Sequence, residues 1–266
     1  GRSRRSMKHE LNAILAIAYR DFTKFLRDGP RILISFALPA LFIGILGGGL
    51  QANLAEDAGF NFLAFVFIGV LTQVLFQSTA SGIISLVEDR EQDFSQVMFV
   101  APVSRYSIIL GKITGETLVS FAQAAGVIIF GLSVGVSLSF GQFIRLIPAG
   151  IIVSVLGGAF GILVLANLGN QQRVRQIFPL VIFPQFFLAG VFNPITHLPP
   201  FLFILSRIAP MTYAVDLMRG IYYAGAPEAA KIVLYHPLTN LAIIAVLTAI
   251  FLSLGTILFV RRERNR

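Results

Sequence analysis

The 266 residues are 56% hydrophobic and only 13% charged, against about 25% charged in a soluble globular domain. Several apolar runs reach the ~20 residues that a helix needs to cross a bilayer, so a soluble single-core domain is excluded and the chain reads as an all-α polytopic membrane protein. It has no cysteine, which excludes disulfides and thiolate metal sites. The net charge of +8 sits between the apolar runs, as loop charge does in a membrane protein, rather than forming the basic face of a nucleic-acid binder.

Residues 1–6, GRSRRS, precede Met7 and are read as a basic tail. No cleavable signal peptide is expected, because the first strong apolar run begins near Ile32. In residues 8–28, Leu11, Ile14, Leu15, Ala18, Phe22, Phe25 and Leu26 recur at spacings of three and four. At 100° per residue they form a stripe about 120° wide, with Arg20, Lys24 and Arg27 opposite. This predicts an amphipathic helix lying in the headgroup layer, its cations toward water and anionic lipid. Gly29-Pro30 ends it. Residues 1–30 are thus a basic tail and interfacial helix, 31–260 a transmembrane domain, and 261–266 a second basic tail.

Six spans are expected at about 31–51, 61–87, 107–134, 143–168, 176–192 and 237–260. The fifth is short and interrupted by Pro179 and Pro184. Seventeen of the 21 Lys and Arg fall in the N-terminal segment through Arg31, the 88–112 loop region, the 169–175 loop and the C-terminus. By the positive-inside rule, both termini and the 88–105 loop are cytoplasmic. The 51–60 loop, with Glu56 and Asp57 and no cation, is external. The segment 193–236 holds Pro194, Pro199, Pro200, Pro210 and Pro227, and its apolar stretch Phe201–Ile208 is too short to cross. Two short helices that dip into the outer leaflet and return are expected there, before the last span. Such broken backbone needs shielding by protein or a wet cavity.

The densest charge in the chain is Glu88, Asp89, Arg90, Glu91 and Asp93, followed by Phe94, Val97 and Met98 at helical spacing. Acids favour a helix N-terminus, so a short helix over 88–99 is predicted, with an apolar ridge on its C-terminal half. The ridge packs either on the protein's own spans or in a groove of a cytoplasmic partner; the residues alone leave both open. Gly111-Lys112 is the only Gly-Lys, but Ile113 follows and Tyr106 occupies a required glycine position, so it is no phosphate loop. His9, His197 and His236 show no metal-ligand spacing, and no catalytic constellation appears. Lys112 and Glu116, one turn apart near the end of span 3, are costly there unless paired or wet. Either a mutual pair or inter-helix tie, or a polar gate, is expected. Asp216 and Arg219 are within pairing reach on one helix face and read as a structural clasp of the re-entrant pair rather than a substrate site.

The stretch DREQDFSQVMFVAPVSRYSIILGK (89–112) resembles the first cytoplasmic loop of the ABC-2 permeases of ATP-binding-cassette transporters, particularly the drug- and lipid-exporter branch. A second block, FFLAGVFNPITHLPPFLFILSRIAPMTYAVDLMRG (186–220), looks like that family's signature before the last span. The element order agrees over nearly the whole chain. Two positions depart: Asp93 stands where the family commonly has Gly, and Ala209-Pro210 where it has Asn-Pro, so local turn geometry differs.

The resemblance implies that 88–99 is a coupling helix seated on a separate ATPase subunit. Its docking surface would comprise Glu88, Asp89, Arg90, Glu91, Phe94, Val97 and Met98, with Pro102 and Arg105. ATP and Mg would be bound by that partner and none by this chain, which lacks a nucleotide-binding motif and is not itself an enzyme. Two permeases, as a homodimer or with a paralogue, and two ATPases would form an exporter in a bacterial or archaeal cell membrane. The pathway would then lie between the permeases. Freed carbonyls at Pro179 and Pro184 are better placed against a partner than in lipid, so Phe183, Phe187 and Val191 are expected to line that interface. Pro210, Tyr213, Asp216 and Arg219 would hold the re-entrant pair. With 25 Phe, six Tyr and no Trp, the walls suit lipids or hydrophobic drugs better than sugars, although Phe facing lipid accounts for the same count. A lipid-linked polysaccharide exporter of the same family remains an alternative. A secondary transporter would call for inverted repeats and mid-depth carboxylates, which are not seen. A simple anchor has no need of broken backbone.

Overall fold

The computed structural model describes residues 2–91, 104–164, 167, 168 and 170–264, which are helical apart from turns and short connections. The first helix, α1 (Arg2–Leu26), ends where Asp28 begins the next one. Asp28 accepts a hydrogen bond from the Arg31 N–H at 3.1 Å, and Pro30 occupies the first turn, where its missing N–H costs nothing. The first span is built in three pieces: α2 (Gly29–Leu41), a π-helical stretch at Phe42–Gly47, and α3 (Gly48–Ala58). Pro39 lies inside α2 and removes a ladder hydrogen bond, and the wider π turn follows at once. Gly59, at φ +66°, closes the span.

Asn61 caps α4 (Phe62–Gly82), accepting from Ala64 N–H at 2.9 Å. This helix is largely apolar and buried nearly all round, so it forms the axis of the protein. Around it stand α6 (Arg105–Ser133), α7 (Phe140–Val164) and α10 (Pro210–Tyr222). Apolar helices gain little hydrophobic energy by leaving lipid for one another, so they associate through close backbone approach. Gly157 of α7 faces the Phe76 carbonyl so closely that no side chain fits, and a Cβ at Gly161 would stand 2.8 Å from the Ala80 carbonyl oxygen. Phe76, Phe160 and Phe251 then link α4, α7 and α12 (Pro237–Arg264), with ring centroids 5.6 and 5.9 Å apart. A capping box starts α7: Ser139 Oγ accepts from Gln142 N–H at 3.2 Å, and Gln142 Oε1 accepts from Ser139 N–H at 2.8 Å.

Among the described residues, five helical stretches are long and apolar enough to cross a membrane: Gly29–Leu54, Phe62–Glu88, Arg105–Ser133, Phe140–Val164 and Ala229–Arg262. The pair α9 (Pro200–Ile208) and α10, bent by 87°, is a broken span or a re-entrant loop, and counted as one span it makes six. The short helices expected in 193–236 are therefore present. The fifth expected span is displaced. Residues 171–188 form α8 (Gln171–Leu188), which opens on the polar stretch QQRVRQ and keeps both prolines within it. Its twelve apolar-side residues from Ile177 cover only ~18 Å of a ~30 Å hydrocarbon layer. The apolar sequence continues to Phe192, but the helix does not, because Gly190 adopts φ +70°.

Candidate functional site

The loop that carries the acidic cluster is anchored at both ends on other helices. Residues Glu88–Glu91 form the last turn of α5 (Ile84–Glu91), which continues α4 beyond Ile83. Glu88 accepts hydrogen bonds from Gln171 and Arg175 in the first turns of α8, the latter at 3.4 Å. Asn170, just before them, caps α8 through Arg173 N–H at 2.8 Å. On the far side of the loop, Ser104 caps α6 and donates its own N–H to Glu10 of α1 at 3.1 Å. Arg105 donates to the Val260 carbonyl of α12 at 3.2 Å. Three helices thus hold the two ends of one loop. Phe94, Val97, Met98 and Pro102 lie outside the described residues, as does the predicted helix from residue 92 onward. Glu10 is partly exposed, and its carboxyl is held below the ordinary glutamate value, first by the Ser107 hydroxyl and then by the Ser104 N–H.

Beneath the loop, α1 lies along α6. Gly111 and Gly115, four residues apart, open the groove that receives it: a Cβ at Gly115 would meet Ala18 Cα at 2.9 Å, and one at Gly111 would meet Ile17 Cβ at 3.0 Å. This is the small-xxx-small arrangement of closely packed membrane helices. The contact is fastened by a buried ion pair. Lys112, 0% exposed, stands 3.0 Å from Asp21 Oδ2 and donates to Ser85 Oγ at 2.8 Å. Arg20 holds the other Asp21 oxygen at 3.0 Å. Glu116, also buried, faces Arg31 of α2 at 3.9 Å, too far for a hydrogen bond. Gly82 of α4 makes room for its carboxylate. Of the two expectations for Lys112 and Glu116, the inter-helix tie is realised, each residue pairing with a different helix and not with the other. The stripe predicted on α1 is divided. Ala18 and Phe25 are buried, whereas Leu11, Leu15 and Leu26 remain exposed on the flank turned away from α6.

At the opposite end, the two charges expected to form a clasp bind separate sets of groups. Asp216 accepts from the backbone N–H groups of Leu234 and Tyr235, at 2.7 and 2.9 Å, and from Asn240 Nδ2 at 2.7 Å. Arg219 turns the other way. It donates to the carbonyls of Gly190, Val191 and Phe65 at 2.7, 3.1 and 3.0 Å and lies 3.5 Å over the Phe65 ring. The expected Asp216–Arg219 pair does not form, because each already has its own set of backbone groups to satisfy. Pro210 opens α10, and Tyr213 donates its hydroxyl to the Arg207 carbonyl at 2.6 Å, closing the 87° bend.

Of the three residues expected to line an interface between permeases, two lie on an exposed face of α8. Phe183 and Phe187 are 52% and 64% exposed, and Leu180 continues them. Val191 is 0% exposed. It lies past the helix end, under Arg219, where its carbonyl also packs against Gly69. Extrapolating the helical spacing past Gly190 placed it on the wrong face.

The ABC-2 type transporter family model matches residues 12–223, which takes in the α1 seat, the anchored loop and all of the bent pair. The chain belongs to the ABC-2 type transporter family. Among the relatives of this ABC-2 chain is a putative transport permease, ycf38, of Cyanophora paradoxa, 28% identical over 74% of this chain and 70% of the relative. Nodulation protein J of Rhizobium meliloti (strain 1021) is 25% identical over 71% and 73%. The inner membrane transport permease YadH of Escherichia coli (strain K12) is 24% identical over 78% and 81%. The ABC-2 chain is a multi-pass membrane transport permease. Among its described residues, no group of three or more His, Asp or Glu is placed to hold a metal ion.

Several members of this constellation escape a reading by motif. The run Gly111-Lys112-Ile113-Thr114-Gly115 is no phosphate loop, and its glycine spacing is a helix-packing signal. Asp21, the only acid on the apolar flank of α1, was the matching sign on the other helix. Nothing in the sequence around Glu10 marks it as a partner for Ser104, 94 residues away.

Proposed function

We propose that this permease is the membrane subunit of an ATP-driven exporter that moves a hydrophobic or amphipathic molecule out of the cytoplasm or the inner leaflet. Two copies work with two copies of a separate ATPase in a bacterial or archaeal cell membrane. The observation that carries this reading is the three-helix anchorage of the 88–105 loop. A push on that loop is delivered to α8 through Glu88, to α1 through Ser104 and to α12 through Arg105. Of these, α8 leads directly into Gly190 and the bent pair, so loop displacement is geared to the far end of the bundle. In this reading both termini and the loop are cytoplasmic, and 193–236 is external. Two permeases meet along Leu180, Phe183 and Phe187, and the ATPase grips the ridge of Phe94, Val97 and Met98.

The test is co-purification. Phe94→Asp should release the ATPase while the permease stays monodisperse and folded; retention of the ATPase would sink the docking role. Single cysteines at Ser95 and Thr196 should be labelled by an impermeant reagent from opposite sides, and labelling from one side refutes the topology. Cysteines at Phe183 and Phe187 should cross-link between copies, with a yield that changes on adding ATP.

A further inference from the structure

Below the π-helical stretch, the first span leans away from α4, and the two helices enclose with α6 a cleft of about 500 Å³. Above it, they meet closely: a Cβ at Gly47 would stand 3.3 Å from the Leu63 side chain. The cleft has an unusual wall for a membrane protein. Gln73, Gln77 and Ser81 follow one another at four-residue intervals down α4, with Ser78 beside them, and Gln123 of α6 stands opposite. Gln73 is 3% and Ser78 6% exposed. Gln73 Nε2 donates to Gln77 Oε1 at 3.2 Å, but Gln73 Oε1 and Ser78 Oγ have no partner in the protein. Buried polar atoms are normally satisfied, and each exception calls for a cause. The rim is different. Ile34 and Leu38 of α2, both exposed, make it apolar. Charge occurs only at one end of the cleft, where Asp28 and Arg31 lie.

We infer that this cleft binds an amphipathic molecule with an uncharged, hydroxyl-bearing head, the head against the glutamine wall and the tail over Ile34 and Leu38. The chemistry selects the class. An amide oxygen without a partner needs a donor, which a hydroxyl supplies and a phosphocholine head does not. Amides and a serine hydroxyl, without a facing cation or carboxylate in the deep part, match a neutral polar group rather than an ion. The volume lies within the ~300–1,000 Å³ of small-molecule sites. Reaching the two unpaired atoms takes only rotation of the Ser78 hydroxyl and of the Gln73 side chain. The inference rests on the reading of this chain as a permease for amphipathic substrates and narrows it to one head-group class and one place.

The test uses the full chain in nanodiscs without any ATPase, so it is independent of whether the ATPase complex forms. The probes are a monoacyl glucoside and a lysophosphatidylcholine carrying the same chain with the same photoreactive diazirine. The glucoside should label α2 and α4 around residues 34–38 and 73–81 at least about fivefold above the choline probe, as expected for one or two hydrogen bonds. Gln73→Met with Ser78→Ala should abolish that preference. The same pair should raise the thermal midpoint of the ligand-free protein, because it removes unsatisfied polar atoms without opening a large void; groups that merely hold the fold would lower it. Equal labelling by both probes, a preference that survives the double substitution, or no labelling by either overturns the inference. So does efficient disulfide cross-linking of Ile34→Cys between two copies, which would mean that a second permease covers the cleft. If the unmodified permease brings down no ATPase while labelling is intact, the exporter reading is refuted and this site stands.

Discussion

The seat of α1 on α6 depends on one buried charge pair, and its strength can be read from the geometry. Lys112 Nζ and Asp21 Oδ2 are 3.0 Å apart, with both side chains almost wholly buried. At an effective dielectric of about 20, that separation corresponds to an attraction of about 5–6 kcal/mol. Lys112→Met removes the attraction and leaves the Asp21 carboxylate buried beside an apolar chain, a loss of about 3–5 kcal/mol. Lys112→Met combined with Asp21→Leu removes both charges, and such exchanges are often neutral or stabilising. The chain has no native cysteine, so Ala18→Cys on the packed flank of α1 gives a single reporter. Its alkylation requires α1 to lift from α6, and the rate follows the open population when reclosing is fast. The single change should speed alkylation by about 100-fold or more, and the double change should return it to within about tenfold of the reference. If single and double variants react equally fast, the two charges are not coupled. If neither reacts faster than the reference, the glycine groove alone seats α1. Either result refutes the reasoning.

Arg219→Lys should destabilise the protein strongly, since an ammonium cannot serve three diverging carbonyls, and each buried group left unpaired costs about 1–3 kcal/mol; thermal melting in detergent would show it. Gly69→Ala should cost about 1–3 kcal/mol by overpacking, because the new methyl would stand 2.6 Å from the Val191 carbonyl oxygen, whereas Gly48→Ala, with open space around it, should be near neutral in the same assay. The Glu10 contact should be pH-dependent in one direction only. Its carboxyl is lowered from 4.5 in the folded state, so the stabilisation is full above the unfolded value and is lost as pH falls through the lowered one. Hydrogen exchange at residues 7–12 should therefore rise as the medium is acidified below about pH 4, and Glu10→Gln should abolish the change.

What the sequence revealed follows the length scale of the signal. Spans are written in runs of some twenty apolar residues, and five of the six expected spans end within about four residues of the helices found. The interfacial helix was legible from its stripe, but not the split of that stripe into a packed flank and a free one, which depends on where α6 stands. The end of α8 was misjudged because hydropathy runs on through Ala189–Phe192 while Gly190 alone reverses the backbone. The charged residues stand out in the sequence, but their partners do not. Spacing along one helix left Lys112 and Glu116 open between a mutual pair, an inter-helix tie and a gate, and put Asp216 within reach of Arg219, yet in the folded chain a buried charge takes the best donors and acceptors available, and these lie on helices distant in sequence. The polar wall of the cleft was missed because glutamines at 73, 77 and 123 look like minor blemishes in apolar runs until three helices bring them together.

Arg219 also sets an order on the making of this protein. Its guanidinium reaches the carbonyl of Phe65, 154 residues upstream. At about 5–20 residues per second, the ribosome delivers Arg219 some 8–30 s after Phe65. Throughout that interval the side of α4 that α10 will cover lacks its final neighbour, although α4 ends as the most enclosed of the described spans. Arg219 thus joins a helix made early to a segment made late, and a chain that stops short of residue 219 lacks the joint between Phe65, Gly190 and Val191.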